Sequence, residues 1–117
     1  MSTIIRADRA RLQELFSNLL DNAIKYTNVN GVITVRLKND GANVHASVSD
    51  TGIGIPKSEQ PRIFERFYRV DKSRSREQGG AGLGLSIAEA IARAHHGSIS
   101  VSSEVGKGST FVVILPL

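Results

Sequence analysis

The chain has 117 residues, 40% of them hydrophobic and 22% charged, which suits one packed domain and excludes disordered, collagen-like and low-complexity classes. It has no cysteine, so disulfide scaffolds, zinc fingers and thiol catalysis drop out, and the usage fits a reducing compartment. Fifteen Lys and Arg against eleven Asp and Glu leave a net charge of +4, a balance suited to an anionic ligand or partner.

The opening MSTIIRADRAR carries no secretory leader pattern, and the longest apolar run, Phe111 to Leu115, is far too short for a membrane span. Asp8 to Thr27 reads as a long helix: Leu12, Leu15, Phe16, Leu19 and Ala23 recur at helical spacing, with Asp8 as N-cap. Val32 to Lys38 and Ala42 to Ser49 read as strands joined by a turn at Asn39, Asp40 and Gly41. Thr51 to Ala81 has little regular pattern beyond a short helical patch. There Ile63, Phe64, Phe67 and Tyr68 share a face and Ser58 is a possible cap. So long a stretch without regular structure in a compact domain is functional or mobile. Leu83 to His95 is a second helix, with Ile87, Ile91 and Ala94 on one face and Gly97 at the C′ position. Ser98 to Ser103 is a strand, Gly106 to Ser109 a turn, and Thr110 to Leu115 a strand buried on both faces or nearly so. This order of helices and antiparallel pairs predicts an α+β two-layer sandwich with helices on one face of the sheet.

Three constellations carry chemistry. Asp50 shares strand parity with Val44, Ala46 and Val48, so it points toward the apolar face at the strand end. A carboxylate there is costly unless donors meet it, and Gly52 and Gly54 let the backbone pass close by. Asp50 is then either a turn residue capping its own loop or an acceptor for a ligand amine at the bottom of a pocket. Asn18, Asn22 and Lys25 lie at i, i+4 and i+7 on one helix stripe, about a quarter turn from the core face. They form a solvated flank or a set whose neutral amide oxygens join a hydrated Mg²⁺ balanced mostly by phosphates. Gly79, Gly80, Gly82 and Gly84 fall in GGAGLGLS directly before a helix, as a flexible hinge or a phosphate cradle. No strand precedes these glycines, which excludes a dinucleotide-binding motif, and no Gly-Lys-Ser/Thr follows at Walker A spacing.

Six basic residues fall between Arg62 and Arg76, as a solvated loop or a lid bringing charge toward a triphosphate. Nucleic-acid binding through this loop is disfavoured because it offers little for bases to stack on beyond Tyr68. His45, His95 and His96 are not expected to bind metal; the pair at 95 and 96 sits where helix C-termini favour cations and caps. An acid for a base, amides for a metal and glycines for phosphates together describe a nucleotide site.

These residues resemble the catalytic, ATP-binding domain of two-component sensor histidine kinases, within the GHKL or Bergerat-fold superfamily. NLLDNAIKYT (18–27) is similar to the N box, DTGIGI (50–55) to the first glycine box and IFERFYRVD (63–71) to the F box. GGAGLGLSIA (79–88) and GKGSTF (106–111) are similar to the second and third glycine boxes. The resemblance covers nearly the whole chain. It implies one domain over residues 1–117 with a lid at about 56–82, and a mixed, mostly antiparallel sheet of about five strands with about three helices on one face.

It also implies roles. Asp50 would accept from the adenine amino group, with Thr110 close to the same water network. Asn22 would coordinate Mg²⁺ with Asn18 near it, and Lys25, Tyr26 and Arg69 would meet the phosphates. Gly52, Gly54 and Ile55 would line the base site, while Gly80, Gly82, Leu83 and Gly84 would line the lid exit and helix start. Phe64 and Phe67 would anchor the lid. ATP and Mg²⁺ are the implied cofactors. The implied partners are a phosphoacceptor and dimerisation segment, absent here, and a response regulator. The domain itself would be monomeric and cytoplasmic, within an inner-membrane sensor. Related ATPases such as gyrase carry a Glu one helical turn before the metal Asn; here that position is Asn18, which cannot take a proton from water. The resemblance therefore favours phosphoryl transfer to histidine over hydrolysis, the alternatives being an ATPase or a non-catalytic nucleotide-binding or docking module.

Overall fold

A computed structural model describes residues 7–66 and 84–117. Helix α1 spans Arg9–Tyr26, strands β1 and β2 span Ile33–Asn39 and Asn43–Asp50, and a 3₁₀ helix covers Gln60–Arg62. Helix α2 then spans Gly84–Ala94, and β3 and β4 span Ser98–Glu104 and Gly108–Pro116. The four strands form one sheet in the order β1-β2-β4-β3, and every neighbouring pair is antiparallel. The architecture is thus the expected α+β sandwich with helices on one side. It has four strands and two α-helices among the described residues, where about five and three were expected, and all of its strand pairs are antiparallel where a mixed sheet was expected.

Helix α1 starts where the sequence places it: the Asp8 carboxylate accepts from the Arg11 N–H at 3.2 Å. Leu15, Leu19 and Ala23 are buried on one stripe, with Leu12 and Phe16 packed beside them. On the sheet side, Val44, Ala46 and Val48 of β2 alternate with half-buried residues, and Phe111, Val113 and Leu115 of β4 do the same. Strand β4 therefore has one buried face and one half-buried face, because among the described residues the helices cover the sheet from one side. Ala88, Ile91 and Ala92 of α2 complete the core. Small residues at 88 and 92 bring α2 close to its neighbours; Ile87 is only half-buried and Ala94 is exposed, so the buried face lies about one position away from the one read from spacing.

The end of α2 also differs by one residue. His96 adopts φ 62° and occupies the left-handed C′ position, and the Gly97 N–H returns to the Ala92 carbonyl at 2.8 Å. Gly97 is favoured there for a different reason: a Cβ on it would collide with the Ile114 carbonyl of β4. The described part of the foreseen helical patch holds a 3₁₀ helix at Gln60–Arg62, just before Ile63. Its N-cap is Glu59 and not Ser58, with Pro61 in its first turn. Ile63 is buried, and the Phe64 ring meets Phe111 edge-on at 6.2 Å, pinning this segment to the core. Phe67 and Tyr68 lie outside the described residues.

The β1–β2 turn is held by Asp40. Its carboxylate accepts from the Asn43 and Ala42 N–H groups at 2.7 and 3.0 Å and meets His45 Nε2 at 2.8 Å. The Asn43 bond, then His45, then Ala42 lower its pKa from 3.8 to about 2. A depressed folded-state pKa stabilises the fold above the unfolded value and loses that contribution as pH falls. Asp40→Ala should therefore be less heat-stable than wild type near neutral pH. That gap should close between pH 3.8 and about 2, as read from thermal midpoints across pH.

Candidate functional site

The site is built where three segments converge at one end of the sheet: the C-terminal half of α1, the loop that follows β2, and the β3–β4 turn. Asp50 closes β2 on its buried parity and is 8% exposed. Its Oδ1 accepts from the Gly52 N–H at 2.9 Å and from the Ser109 N–H at 3.3 Å. Among the described residues no donor is bonded to Oδ2. The carboxylate is thus oriented by backbone on one oxygen and left with acceptor capacity on the other.

Loop 51–55 has almost no freedom. The Ile53 N–H donates to the Tyr26 carbonyl at the end of α1 (3.2 Å), and the Ile53 carbonyl accepts from Gly106 (2.9 Å). Ile55 donates its N–H to Ser103 Oγ at 2.7 Å, and its carbonyl accepts from Gln60 Nε2 at 2.9 Å. Gln60 Nε2 also reaches the Ser103 carbonyl at 3.1 Å. This close threading explains two glycines. A Cβ at Gly52 would strike the Tyr26 carbonyl, with Asp50 Oδ1 2.9 Å away. Gly54 has φ +76°, and a Cβ there would strike the Glu104 carbonyl.

On α1, Asn18, Asn22 and Lys25 are half-buried along the flank of the core stripe, as their spacing requires. Asn18 Nδ2 is buried and unpartnered among the described residues. Gly84, the first residue of α2, lies beside it: a Cβ there would stand 3.9 Å from Asn18 Cβ and Cγ. The structure therefore brings Asn18 to the start of α2. Tyr26 contributes its main-chain carbonyl to the loop, and Lys25 occupies the last turn of α1. Arg69, Gly79, Gly80, Gly82 and Leu83, with most of the proposed lid, lie outside the described residues.

Thr110 is placed differently from expectation. Its hydroxyl pairs with Ser49 at 2.9 Å, on the sheet face opposite to Asp50. The residue directly across from Asp50 is Ser109, which shares the buried parity of Phe111, Val113 and Leu115. Sequence reading also passed over Ser103 and Gln60. The period-two rule that found Asp50 would have found Ser109; nothing in the sequence marks Gln60.

Residues 7–117 match the family described as histidine kinase-, DNA gyrase B-, and HSP90-like ATPase. The chain belongs to this family. Within it, the similarity is to sensor histidine kinases. The circadian input-output histidine kinase CikA of Synechococcus elongatus is 44% identical over 113 residues, 97% of this chain and 15% of that protein. The signal transduction histidine-protein kinase ArlS of Staphylococcus aureus is 50% identical over 104 residues, 89% of this chain and 23% of that protein. The chain thus spans less than a quarter of the length of either relative. Among solved structures, the mycobacterial sensor histidine kinase MprB superposes with a TM-score of 0.86 at 32% identity, covering 96% of this chain and 76% of that one. Full-length ShkA in complex with AMPPNP gives 0.79 at 36% identity, covering 94% of this chain and 22% of that one. The domain is of the catalytic, ATP-binding type found in sensor histidine kinases.

The family's glycine loop makes a stability prediction here. Gly54→Ala should cost about 1–3 kcal/mol, from a left-handed backbone and a blocked carbonyl. Gly84→Ala, which meets only ordinary contacts, should change stability by less than about 1 kcal/mol. Urea midpoints of the two variants check the contrast.

Proposed function

We propose that this domain binds Mg-ATP and supplies the γ-phosphoryl group to a histidine on a separate phosphoacceptor and dimerisation segment. The observation that carries the reading is the Asp50 carboxylate, buried at the sheet end with one oxygen engaged by backbone and no donor bonded to the other among the described residues. The loop that follows it bonds to the end of α1, whose flank carries Asn18, beside Gly84 at the start of α2, and Asn22 one turn further along. An adenine amino group supplies the missing donor; a guanine carbonyl at the same place does not. AMPPNP in the ShkA complex, an adenine nucleotide analogue held by a relative, supports the same ligand class.

The donor set suits Mg²⁺. Asn22 offers a neutral amide oxygen with Asn18 one turn away. The described residues contain no cluster of three or more His, Cys, Asp or Glu that would bind a metal unaided. A hard cation here would take most of its charge balance from phosphate oxygens, and Asn22 would hold it. When bound, it neutralises charge on the transferring phosphoryl group. Asn18 and Asn22 orient what the flank faces, and Lys25 and Arg69 carry positive charge to the phosphates. Hydrolysis is disfavoured because Asn18 stands where a water-activating carboxylate would be needed. The lid at about 56–82, a cytoplasmic position and a response regulator as partner of the whole kinase belong to this proposal.

Two measurements test it. Calorimetry should show ATP bound in preference to GTP, and Asp50→Asn should weaken ATP binding by about 1–3 kcal/mol; equal affinity for both nucleotides would overturn the role of Asp50. Mixed with labelled ATP, Mg²⁺ and a separately made histidine-bearing segment, the domain should transfer acid-labile label, and Asn22→Ala should abolish the transfer. Full transfer by that variant would remove Asn22 from the metal site.

A further inference from the structure

Ser103 sits at a node that neither the sequence motifs nor the nucleotide reading uses. Its hydroxyl accepts from the Ile55 N–H at 2.7 Å. It lies 2.9 Å from the Gly108 carbonyl, which can only accept, so the single Ser103 proton goes there. Ser109 Oγ lies 2.7 Å from the same hydroxyl. With the Ser103 proton directed to that carbonyl, Ser109 takes the donor role in the pair, the one assignment that uses all three contacts at once. The hydroxyl of Ser109 is therefore left with lone pairs alone toward everything else.

Ser109 is the register partner of Asp50, on the same buried face. The two nearby N–H groups, of Gly52 and Ser109, are both committed to Asp50 Oδ1. The side-chain oxygens left at this end of the sheet, Asp50 Oδ2 and Ser109 Oγ, are acceptors. We propose that Ser103 is a positioning residue that sets the hydrogen-bond polarity of the base site. By consuming the Ser109 proton, it makes the floor acceptor-only, so that a 6-amino purine edge is favoured and a 6-oxo edge excluded. This deepens the ATP-binding reading and rests on it. Without Ser103, the Ser109 hydroxyl regains a free proton and can turn to donate to a carbonyl, so the preference for adenine over hypoxanthine narrows.

The test compares ATP with inosine triphosphate, which differs at the 6-position and lacks guanine's 2-amino group, by competition against a fluorescent ATP analogue. Ser103→Ala should lower the ATP-to-inosine preference by about two- to tenfold, the range of one hydrogen bond. Ser103→Thr, which keeps the hydroxyl, should restore it. Amide hydrogen exchange without nucleotide gives an independent readout: the Ile55 N–H should lose protection in Ser103→Ala and keep it in Ser103→Thr. Equal weakening of both nucleotides with the preference intact would reduce Ser103 to scaffolding and overturn the proposal. So would unchanged Ile55 exchange, even with nucleotide binding intact. Absence of nucleotide binding by the wild-type domain would instead bring down the ATP reading, and the proposal with it, while Ile55 exchange still reported the node. If Ser103→Ala does not fold, Ser109→Ala removes the acceptor and leaves Ser103 in place. It should narrow the preference with Ile55 protection retained, and an unchanged preference in that variant overturns the proposal.

Discussion

A carboxylate on the inner face of a sheet must be met by donors, and the architecture at one end of this molecule follows from meeting that need at Asp50. Strand alternation turns the side chain inward, where desolvation would be costly. The compensation is local and made of backbone: one N–H from two residues onward and one from the neighbouring strand. Those bonds fix the chain's exit from β2 and the entry of β4. The loop is then confined between the end of α1 and the β3–β4 turn, and side chains are excluded from its two tightest points. The candidate site is therefore part of the hydrophobic core's own boundary and not an appendage to it.

Helix α1 serves two surfaces at once. One stripe, Leu15, Leu19 and Ala23, is core; the next, Asn18 and Asn22, is rim. The helix cannot rotate to improve one without spoiling the other. Its first turn is also secured by a distant residue: the Asp8 N–H donates to His95 Nε2 at 3.0 Å, and His95 Nδ1 meets the Ile91 carbonyl at 2.9 Å. In that arrangement Nε2 accepts and Nδ1 donates, which couples the start of α1 to the end of α2. The histidine at this helix terminus is a structural link, in keeping with its position at a C-terminal cap.

Much of this is legible in residue order because it depends on period and parity. Helical spacing located α1 and its cap, and alternation placed Asp50 inward. Errors arose where a third element decides. The buried face of α2 is set by how closely Ala88 and Ala92 let it approach, which spacing cannot weigh. The left-handed position fell on His96 and not Gly97, because the glycine is needed against the Ile114 carbonyl. Thr110 is implied by the motif resemblance alone, whereas strand parity places Ser109 across from Asp50. Gln60 was invisible: its two bonds go to residues brought near only by the fold. Among the described residues the sheet has four strands, with β1 at one edge.

That boundary strand has a mixed character. Among the described residues β1 pairs with β2 alone, and on its helix side Val35 and Leu37 stand 55% and 74% exposed. Its other side carries Arg36 and Lys38. Among the described residues this is a rim with open backbone and greasy side chains, the kind that invites sideways growth by like strands. Two such rims brought together in antiparallel fashion would crowd cations of the same sign, so Arg36 and Lys38 oppose the polymerisation that the described edge would otherwise allow.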